Sequence, residues 1–486
     1  MSKYVALILL TFLVDTSYAE EYRVSSAQQI SKIQRFLKPG DTVVLEDGIW
    51  HNQRIELKVN GSEEQPIRIT AETPGQVIFN GNSYLSLKGS YAVVSGLMFR
   101  DGALKDKGHI IRLNGSHLRL TQSAIIDYNP DSIKTRYFWV SLAGHHHRVD
   151  HNFFSGQNHS GVTTVVWLNE GPTGHHRIDN NYYGQRPPGD ANGFETIRIG
   201  TGKFSHLNTY VLVENNVFEE SDGEIEIISN KSNYNVYRNN TFINSAGTLT
   251  LRQGSYNVVE GNYFLGQFRK GSGGVRVIST DQLIVNNHFE SLAGRAGGIV
   301  SVTAGNGMLS AGEKVLYPRV ERSVIVGNVC VNNDDPCIDL NASFGSRDRD
   351  LLAENLLIAN NVFHQESAGE PFVVGKQNDS AIWVNNFING AKANDQIEQG
   401  VERITLKFKN IYPQVNRPST LPKPLSCQQL ATMMSEAKWN NIDAILERCK
   451  IISNTQSNPV KPLFREDVGP AWMRDNDVSQ KSITQG

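Results

Sequence analysis

The chain lacks several features that point to common protein classes. Its four cysteines form neither a Cys-x-x-Cys motif nor a cysteine–histidine pattern with zinc-site spacing. Its 47 lysines and arginines are balanced by 49 aspartates and glutamates, giving a net charge of -2, so no overall cationic surface for nucleic acid is expected. No apolar run reaches the roughly 18 residues that span a bilayer. Zinc fingers, nucleic-acid-binding proteins and membrane-spanning proteins are therefore disfavoured.

Helical periodicity is almost absent between residues 40 and 410, and a Leu-x-x-Leu-x-Leu frame is missing as well. A hydrophobic content of 39% argues against general disorder. Yet 486 residues exceed the size at which one compact core usually stops growing, about 250 to 300 residues. The sequence therefore encodes either several domains or one repetitive architecture.

The first nineteen residues resemble a secretory signal. Lys3 provides a positive start, residues 5–14 are apolar, and Ser17-Tyr18-Ala19 fits a cleavage site. We expect cleavage after Ala19 and a periplasmic or secreted protein; a buried N-terminal strand is the alternative reading.

The small cysteine set fits an oxidising compartment. Cys330 and Cys337 lie seven residues apart, and Cys427 and Cys449 bracket a predicted helix near the C-terminus. Pairing within each couple is the local expectation, although spacing alone leaves other pairings open.

A repeated Asn-Asn-x-aromatic pattern dominates the middle of the chain. The steps from Asn216 to Asn240, Asn262 and Asn287 are 24, 22 and 25 residues, and each pair follows a short alternating strand. Coils of this length with short strands are typical of a parallel β-helix. We therefore predict an all-β fold, a single right-handed parallel β-helix, with asparagines stacked at one corner and the aromatic side chains inside.

Both ends of the predicted solenoid carry helical signals. Ser26 and Gln29 have capping-box spacing at the start of an amphipathic helix near residues 26–38, which a solenoid needs as a lid over its open edge. We expect the β-helix domain to cover residues 20–415. Residues 416–486 should form a linker, a helix from Ser426 to about Arg448, and a polar, extended tail.

The densest group of charged residues lies between Asp222 and Lys231. In a strand with Ile225 and Ile227 facing inward, Glu224 and Glu226 would point outward together. Two neighbouring carboxylates favour a hard cation such as Ca²⁺, which prefers oxygen ligands. Asn192, about one coil earlier, would add a neutral oxygen.

Basic residues are predicted on the same lateral face. Arg252 follows Lys231 by 21 residues, close to one coil, and Arg198 faces outward one coil earlier. Such a set suits β-elimination in a uronic acid polymer, where a cation stabilises the charge on the carboxylate, a lysine removes the C5 proton and an arginine steadies the departing oxygen. The structural alternative is a ladder of surface ion pairs.

The sequence resembles the family of alginate lyases and chondroitinase B, which are calcium-using parallel β-helix polysaccharide lyases. The resemblance runs from about Pro39 to about Asn386 and rests on five short segments, which are Trp139-Val140-Ser141-Leu142, Arg148-Val149-Asp150-His151, Glu195-Thr196-Ile197-Arg198-Ile199-Gly200, Ser229-Asn230-Lys231-Ser232 and Thr250-Leu251-Arg252. It implies an anionic polysaccharide as the partner and cleavage of alginate to 4,5-unsaturated uronate ends.

The resemblance also implies roles for individual residues. Lys231 matches the family's base and Arg252 its acid, while Arg198 would hold substrate carboxylates. The implied calcium ligands are Asn192, Glu224 and Glu226. Gln253 stands where the family usually has histidine, which changes a substrate-binding position.

Arg276, one coil beyond Arg252, is a further candidate for contact with a substrate carboxylate, with a solvated face as the alternative. The tracts His145-His146-His147 and His175-His176 are read as surface or packing residues rather than metal ligands.

Three other functions compete with alginate cleavage. A chondroitinase B-like lyase would act on dermatan sulfate, for which more basic groove residues are expected than a net charge of -2 suggests. A pectinase-like hydrolase needs several outward aspartates, of which only Asp222 lies beside the cluster. A non-catalytic carbohydrate-binding β-helix would not need Lys231.

Overall fold

The computed structural model describes residues 19–294, 298–307, 317–366, 372–374, 381–390, 400–412, 415–418, 427–436 and 461–474. Their strands pair in parallel from one coil to the next along three faces. Among the described strand pairs, only the hairpin of β39 (Phe408–Tyr412) and β40 (Val415–Pro418) is antiparallel, apart from one isolated bridge between Gly305 and Leu351. The predicted parallel β-helix is confirmed, and right-handed connections are the rule for parallel strands.

Face 1 will matter most for the site. Its strands are β4 (Arg54–Asn60), β7 (Tyr84–Ser95), β9 (His109–Thr121), β11 (Phe138–His145), β14 (Thr164–Trp167), β17 (Ile197–Ile199), β20 (Glu226–Lys231), β23 (Thr248–Gln253), β26 (Val275–Val277), β29 (Val300–Thr303), β32 (Ile338–Ala342) and β35 (Phe372–Val374).

Face 2 shares the long strands β7 and β9 with face 1. Its other strands are β1 (Glu21–Val24), β2 (Thr42–Leu45), β5 (Ile67–Ala71), β12 (Arg148–Asp150), β15 (Arg177–Asp179), β18 (Leu212–Glu214), β21 (Val236–Arg238), β24 (Val258–Glu260), β27 (Leu283–Val285), β30 (Val324–Val326), β33 (Leu356–Ala359) and β36 (Ala381–Val384).

Face 3 closes each coil. Its strands are β3 (Gly48–His51), β6 (Val77–Gly81), β8 (Leu97–Gly102), β10 (Ala124–Ile126), β13 (Phe153–Ser155), β16 (Tyr182–Tyr183), β19 (Val217–Glu219), β22 (Thr241–Ile243), β25 (Tyr263–Leu265), β28 (His288–Glu290), β31 (Val329–Val331), β34 (Val362–His364), β37 (Asn386–Asn389) and β38 (Val401–Arg403).

The Asn-Asn repeat has a separate physical reason at each of its two positions. The first asparagine, such as Asn215 or Asn239, has a positive φ of 55°, a backbone conformation that asparagine tolerates better than most residues. The second is buried, and its amide donates to the oxygen of the next asparagine at 2.9 to 3.0 Å. This asparagine ladder consists of Asn152, Asn181, Asn216, Asn240, Asn262, Asn287, Asn328, Asn361 and Asn386.

The aromatic residues of the repeat fill the interior, as predicted. The rings of Phe218, Phe242, Phe264 and Phe289 stack in sequence with centroid distances of 4.7, 4.5 and 4.9 Å. Stacked side chains of similar shape on successive coils make one continuous core. That core holds the outward face 1 at a fixed spacing.

At the N-terminus, helix α1 spans Ala27–Ile33 and a 3₁₀ turn continues it over Gln34–Phe36. The Ser26 hydroxyl accepts a hydrogen bond from the Gln29 amide, and Ile30 is buried in the core. The helix therefore forms where the capping signal predicted it, and its function as a lid stays a prediction.

The C-terminal prediction needs a correction. Helix α2 spans Cys427–Glu436 in the described part, and the predicted continuation to Arg448 lies outside it. The tail is not simply polar and extended. Residues 461–474 contain a 3₁₀ turn (Arg465–Asp467) and helix α3 (Ala471–Arg474), and their apolar side chains pack on face 3.

Cys330 and Cys337 form a disulfide, in agreement with local pairing. Cys449 lies outside the described residues, as does the predicted signal up to residue 18. None of the helices that the structure describes combines the length and the apolar character needed to cross a membrane.

Candidate active site

An outward row of face 1 places basic and hydroxyl side chains side by side. Arg198 of β17 pairs with Ser229 of β20, which pairs with Thr250 of β23 and then with Arg276 of β26. Neighbouring strands lie about 4.8 Å apart. The predicted proximity of Arg198 to the coils that follow it is therefore a direct result of strand register.

The register is irregular where the charged residues are densest. Shifts occur between Glu226 and Ile228, and again between Asn230 and Lys231. The prediction that Ile225 faces the interior is wrong, because β20 begins only at Glu226 and half-buried Ile225 lines an outer cavity. Irregular pairing of this kind redirects side chains at strand ends.

Three glutamates meet at this irregularity. Glu195, Glu224 and Glu226 each offer a carboxylate oxygen, and these atoms lie within 4.8 Å of one another. The Glu195 side chain is buried, and its Oε2 has no hydrogen-bond partner within the described chain. Three close carboxylates repel one another unless a cation separates them, so the cluster fits a hard divalent ion.

Backbone groups fix the most exposed of these carboxylates. The amides of Gly193 and Phe194 donate to Oε2 of Glu224 at 3.0 and 3.4 Å. Burial, reinforced by Glu195 and Glu226, raises the pKa of Glu224 to about 7. The cluster thus carries a charge conflict that a metal ion or a proton relieves.

A cavity of about 800 Å³ opens over this cluster. Asn192, Glu224, Glu226, Arg252 and Arg276 line it. The structure therefore brings five of the eight predicted site residues to one cavity. Asn192 is exposed at its rim, while Glu195, which the sequence argument did not assign, completes the carboxylate group.

Lys231 lies at the end of β20, half-buried and opposite Gln253 of β23. Neither residue belongs to the described lining of the cavity, but Gln253 directly follows Arg252, which does. Asn230 donates to the Gln253 carbonyl oxygen at 2.9 Å and so fixes this strand end.

Arg198 is also outside the described lining of the cavity but borders the glutamates. Its guanidinium lies 3.8 Å from Glu195 and 5.3 Å from the centre of the Trp167 ring. Burial lowers its pKa from the usual value, and its Nε has no partner among the residues described. A buried guanidinium with an unused donor is suited to bind a carboxylate.

Tyr317 lies on the opposite side of the cavity, and its ring is close to three arginines. The distances from its ring centre to the guanidinium carbons of Arg349, Arg252 and Arg276 are 3.8, 4.5 and 5.9 Å. Burial acts to raise the pKa of Tyr317, but the three guanidiniums outweigh it and lower that pKa from 10. Arg252 also lies 3.7 Å from Glu226 and so connects the two groups.

The sequence argument did not assign Glu195 or Tyr317. Glu195 lies two and four residues before the inward residues Ile197 and Ile199, so the strand alternation places it on the inward side. A charged residue at an inward position could have marked Glu195 as functional. Tyr317 lies in a long insertion between Asn287 and Asn328, where no repeat spacing applies.

The histidine tracts form part of an outer stack of rings. His117, His146 and His175 stack with centroid distances of 4.8 Å, next to Tyr91 and Tyr210. Within the described residues, the three glutamates are the one group with close metal-ligating atoms. The packing interpretation of the histidines agrees with this arrangement.

The sequence profile of the chondroitinase B family matches residues 24–424. The chain belongs to this family. No curated protein sequence matches it.

Several solved structures similar to this member of the chondroitinase B family are lyases by name. It is similar to the family 6 alginate lyase AlyGC, with 31% identity and a TM-score of 0.81 over 93% of this chain and 58% of that one. It is also similar to a mannuronic acid specific family 6 lyase from human gut microbiota, with 26% identity and a TM-score of 0.72 over 90% and 100% of the two chains.

A third similar structure is a family 6 polysaccharide lyase from Pseudopedobacter saltans, with 26% identity and a TM-score of 0.68. The match covers 84% of this chain and 98% of that one. In contrast, the chain spans less than two thirds of the length of AlyGC.

Proposed function

We propose that the protein is a polysaccharide lyase that cleaves alginate by calcium-assisted β-elimination. The observation that carries the proposal is the meeting of Glu195, Glu224 and Glu226 at the start of β20, with Arg252 3.7 Å from Glu226. Lys231 lies at the other end of the same strand. Similar structures include an alginate lyase and a mannuronic acid specific lyase, which supports alginate as the first choice.

A Ca²⁺ ion held by the three glutamates and Asn192 would supply positive charge to the substrate carboxylate and so favour loss of the neighbouring C5 proton. The Lys231 side chain accepts that proton. Arg198 and Arg276 bind carboxylates of the same chain, and Arg252 stabilises the departing glycosidic oxygen as a hydrogen-bond donor. The products are a new reducing end and a 4,5-unsaturated uronate end.

Dermatan sulfate is the second candidate substrate. Arg252, Arg276 and Arg349 surround Tyr317, so the site is more basic than the net charge of the chain implies. A hydrolase is not favoured, because Asp222 is already paired with Arg269 and accepts from the amide of Ala246 at 2.7 Å.

The decisive experiment is to incubate the protein with polymannuronate, polyguluronate and dermatan sulfate and to follow the ultraviolet absorbance of unsaturated uronate. We expect the largest signal on an alginate polymer, its loss with EDTA and its recovery with added Ca²⁺. Absence of unsaturated product from every polymer, with Ca²⁺ present, contradicts the proposal.

We also propose that the protein is periplasmic or secreted. The signal-like residues 1–19 and the Cys330–Cys337 disulfide support this location. Fractionation of the source cells, with N-terminal sequencing to find Glu20 as the first residue, tests it.

A further inference from the structure

The outward row that holds Arg198 continues toward the N-terminal coils. Arg112 of β9 pairs with Ser141 of β11, Ser141 pairs with Val165 of β14, and Val165 pairs with Arg198. Three strand spacings place the two arginines about 14 Å apart along the helix axis. Arg276 lies three strands beyond Arg198 in the other direction, so the arginines recur at equal steps.

A second cavity of about 310 Å³ opens at Arg112. Arg54, Tyr84, His109 and Lys107 line it together with the carboxylates of Glu56 and Asp106, and Glu56 accepts from the Tyr84 hydroxyl at 2.7 Å. Nδ1 of His109 and Nε of Arg112 are buried without a hydrogen-bond partner in the described structure. Burial lowers the pKa of His109 to about 4, so its ring is neutral at physiological pH.

Aromatic and cationic contacts connect this cavity to the candidate active site. The His109 ring stacks on Phe138 at 5.4 Å, and Phe138 meets Trp167 edge to face at 5.3 Å. Trp167 in turn lies 5.3 Å from the Arg198 guanidinium, and its Nε1 donates to the Ser141 hydroxyl at 2.9 Å. The surface between the two cavities is therefore built from rings and donors, which suit a sugar chain.

We propose that the Arg112 cavity is a remote binding site for a carboxylate of the anionic polysaccharide. This rests on the proposed function. One strand spacing is close to the length of one pyranose ring, so a chain lying along face 1 places a uronate at Arg112 about three sugar residues from Arg198. Short oligomers bound at the active site do not reach Arg112, whereas long chains do.

The test compares Arg112→Ala with the wild type on uronate trimers and on polymer. We expect kcat/KM on polymer to fall about tenfold, the size of one lost charged hydrogen bond, with no change on trimers. The matched control is Arg68→Ala, which removes an exposed arginine of β5 on face 2. Melting curves of both variants check the fold.

An equal loss on trimers and polymer, or no loss on polymer, overturns the remote site while leaving lyase activity intact. If the wild type makes no unsaturated product at all, the proposed function itself fails. The two failures are therefore distinguishable in one experiment.

A second observation concerns the proton that the departing oxygen needs. Burial lowers the pKa of Arg252 from its usual value, but an arginine still keeps its proton at physiological pH, so Arg252 is a poor proton donor. Tyr317 lies in the same cavity, and the guanidinium carbon of Arg252 is 4.5 Å from the centre of its ring. A guanidinium has donors only, so none of the arginines around Tyr317 can accept its proton, and the phenol O–H remains able to donate to another group.

We propose that Tyr317 protonates the glycosidic oxygen during elimination. Lys231 takes the C5 proton, the C5–H electron pair forms the C4=C5 double bond, and the C4–O bond breaks. The oxygen receives the phenol proton and becomes the hydroxyl of the new reducing end. The phenolate that remains lies among three guanidiniums, and water returns its proton after Lys231 releases one.

The variant Tyr317→Phe keeps the ring against the arginines and removes only the hydroxyl. We expect kcat on alginate to fall at least about 100-fold with KM nearly unchanged. Tyr210→Phe, which removes the hydroxyl of an exposed tyrosine in the outer stack, is the matched control and should retain full activity.

When C4 of the uronate carries a nitrophenyl ether, the nitrophenolate leaves without needing a proton. Tyr317→Phe should therefore cleave this substrate at the wild-type rate. A loss below about threefold on alginate shows that the phenol is not the donor. Equal losses on both substrates assign Tyr317 a packing role instead. Either result overturns the assignment.

Discussion

Two stacks of polar side chains run through the same coils and differ in how their atoms are satisfied. In the asparagine ladder, Asn216 donates to Asn240 and to two backbone carbonyls and accepts from Asn181. On face 1, Nε of Arg198, Oγ of Ser229 and Nε of Arg276 are buried without a partner in the described residues. The asparagine amide is therefore hydrogen-bonded within the protein, whereas the face 1 row has buried polar atoms that find no partner in the described residues.

This difference separates structural from functional polarity in a repeat protein. Buried polar groups are nearly always paired, so a row of unpaired groups on one face indicates a ligand that supplies the missing partners. The comparison predicts that changes in the ladder affect stability and changes on face 1 affect activity.

The largest effect is expected from Lys231→Ala. Removal of the proposed base should lower kcat on alginate by about 1,000-fold or more, because general base catalysis contributes about 100- to 10,000-fold. The melting temperature should stay within a few degrees of the wild type. Cleavage at the wild-type rate would show that Lys231 is not the base.

Breaking the ladder should act in the opposite way. Asn216→Ala leaves its buried partners on Asn181 and Asn240 unsatisfied, at a cost of about 3 kcal/mol in the free energy of unfolding. Denaturant unfolding measures this, with exposed Asn60→Ala as the control. Activity per folded molecule should be unchanged, and a selective loss of activity would remove the distinction between the stacks.

Glu195→Gln tests the metal site directly. We expect the calcium affinity to fall at least about tenfold, since one of three carboxylates is lost and Ca²⁺ affinity depends on ligand charge. Isothermal titration calorimetry measures the affinity without relying on activity. Exposed Glu170→Gln serves as the control, and equal calcium binding by both variants would exclude Glu195 as a ligand.

The smallest effect concerns Glu260, which is remote from face 1. Burial raises the pKa of its carboxyl to about 7 from 4.5, and its Oε2 has no partner among the described residues. Because the folded pKa is raised, the protein loses stability as pH rises toward and through 7. Glu260→Gln should remove this loss and be more stable at pH 8 by on the order of 1 to 2 kcal/mol.

Both proteins should be equally stable near pH 4.5, where the unfolded carboxyl titrates. Thermal melting at the two pH values checks the prediction. An identical difference at both values would mean that ionisation of Glu260 is not the cause.

The repeat was predictable from sequence because successive coils form the same corner with the same pair of asparagines. Asparagine tolerates a positive φ at Asn215 and stacks at Asn216, so the pair recurs at every corner. Strand parity also predicted the outward direction of Arg198 and Arg276. These features depend on local geometry that repeats.

The remaining features depend on departures from the repeat. The register shifts in β20 made Ile225 an outer residue, and no periodic pattern indicates such a shift. Tyr317 reaches the cavity from a long insertion, so only folding in three dimensions places it beside Arg252. The contacts of residues 461–474 with face 3 carry no periodic signal either.

Those last contacts have a consequence for how the chain is made. Trp472 donates to the carbonyl oxygen of Gln122, 350 residues earlier, and the Leu463 amide donates to Thr241, 222 residues earlier. Coils can form in order as they leave the ribosome, but these contacts close only after residues 461–474 have been made. A shortened chain that lacks them leaves the apolar side chains of Phe153 and Tyr182 uncovered and prone to self-association.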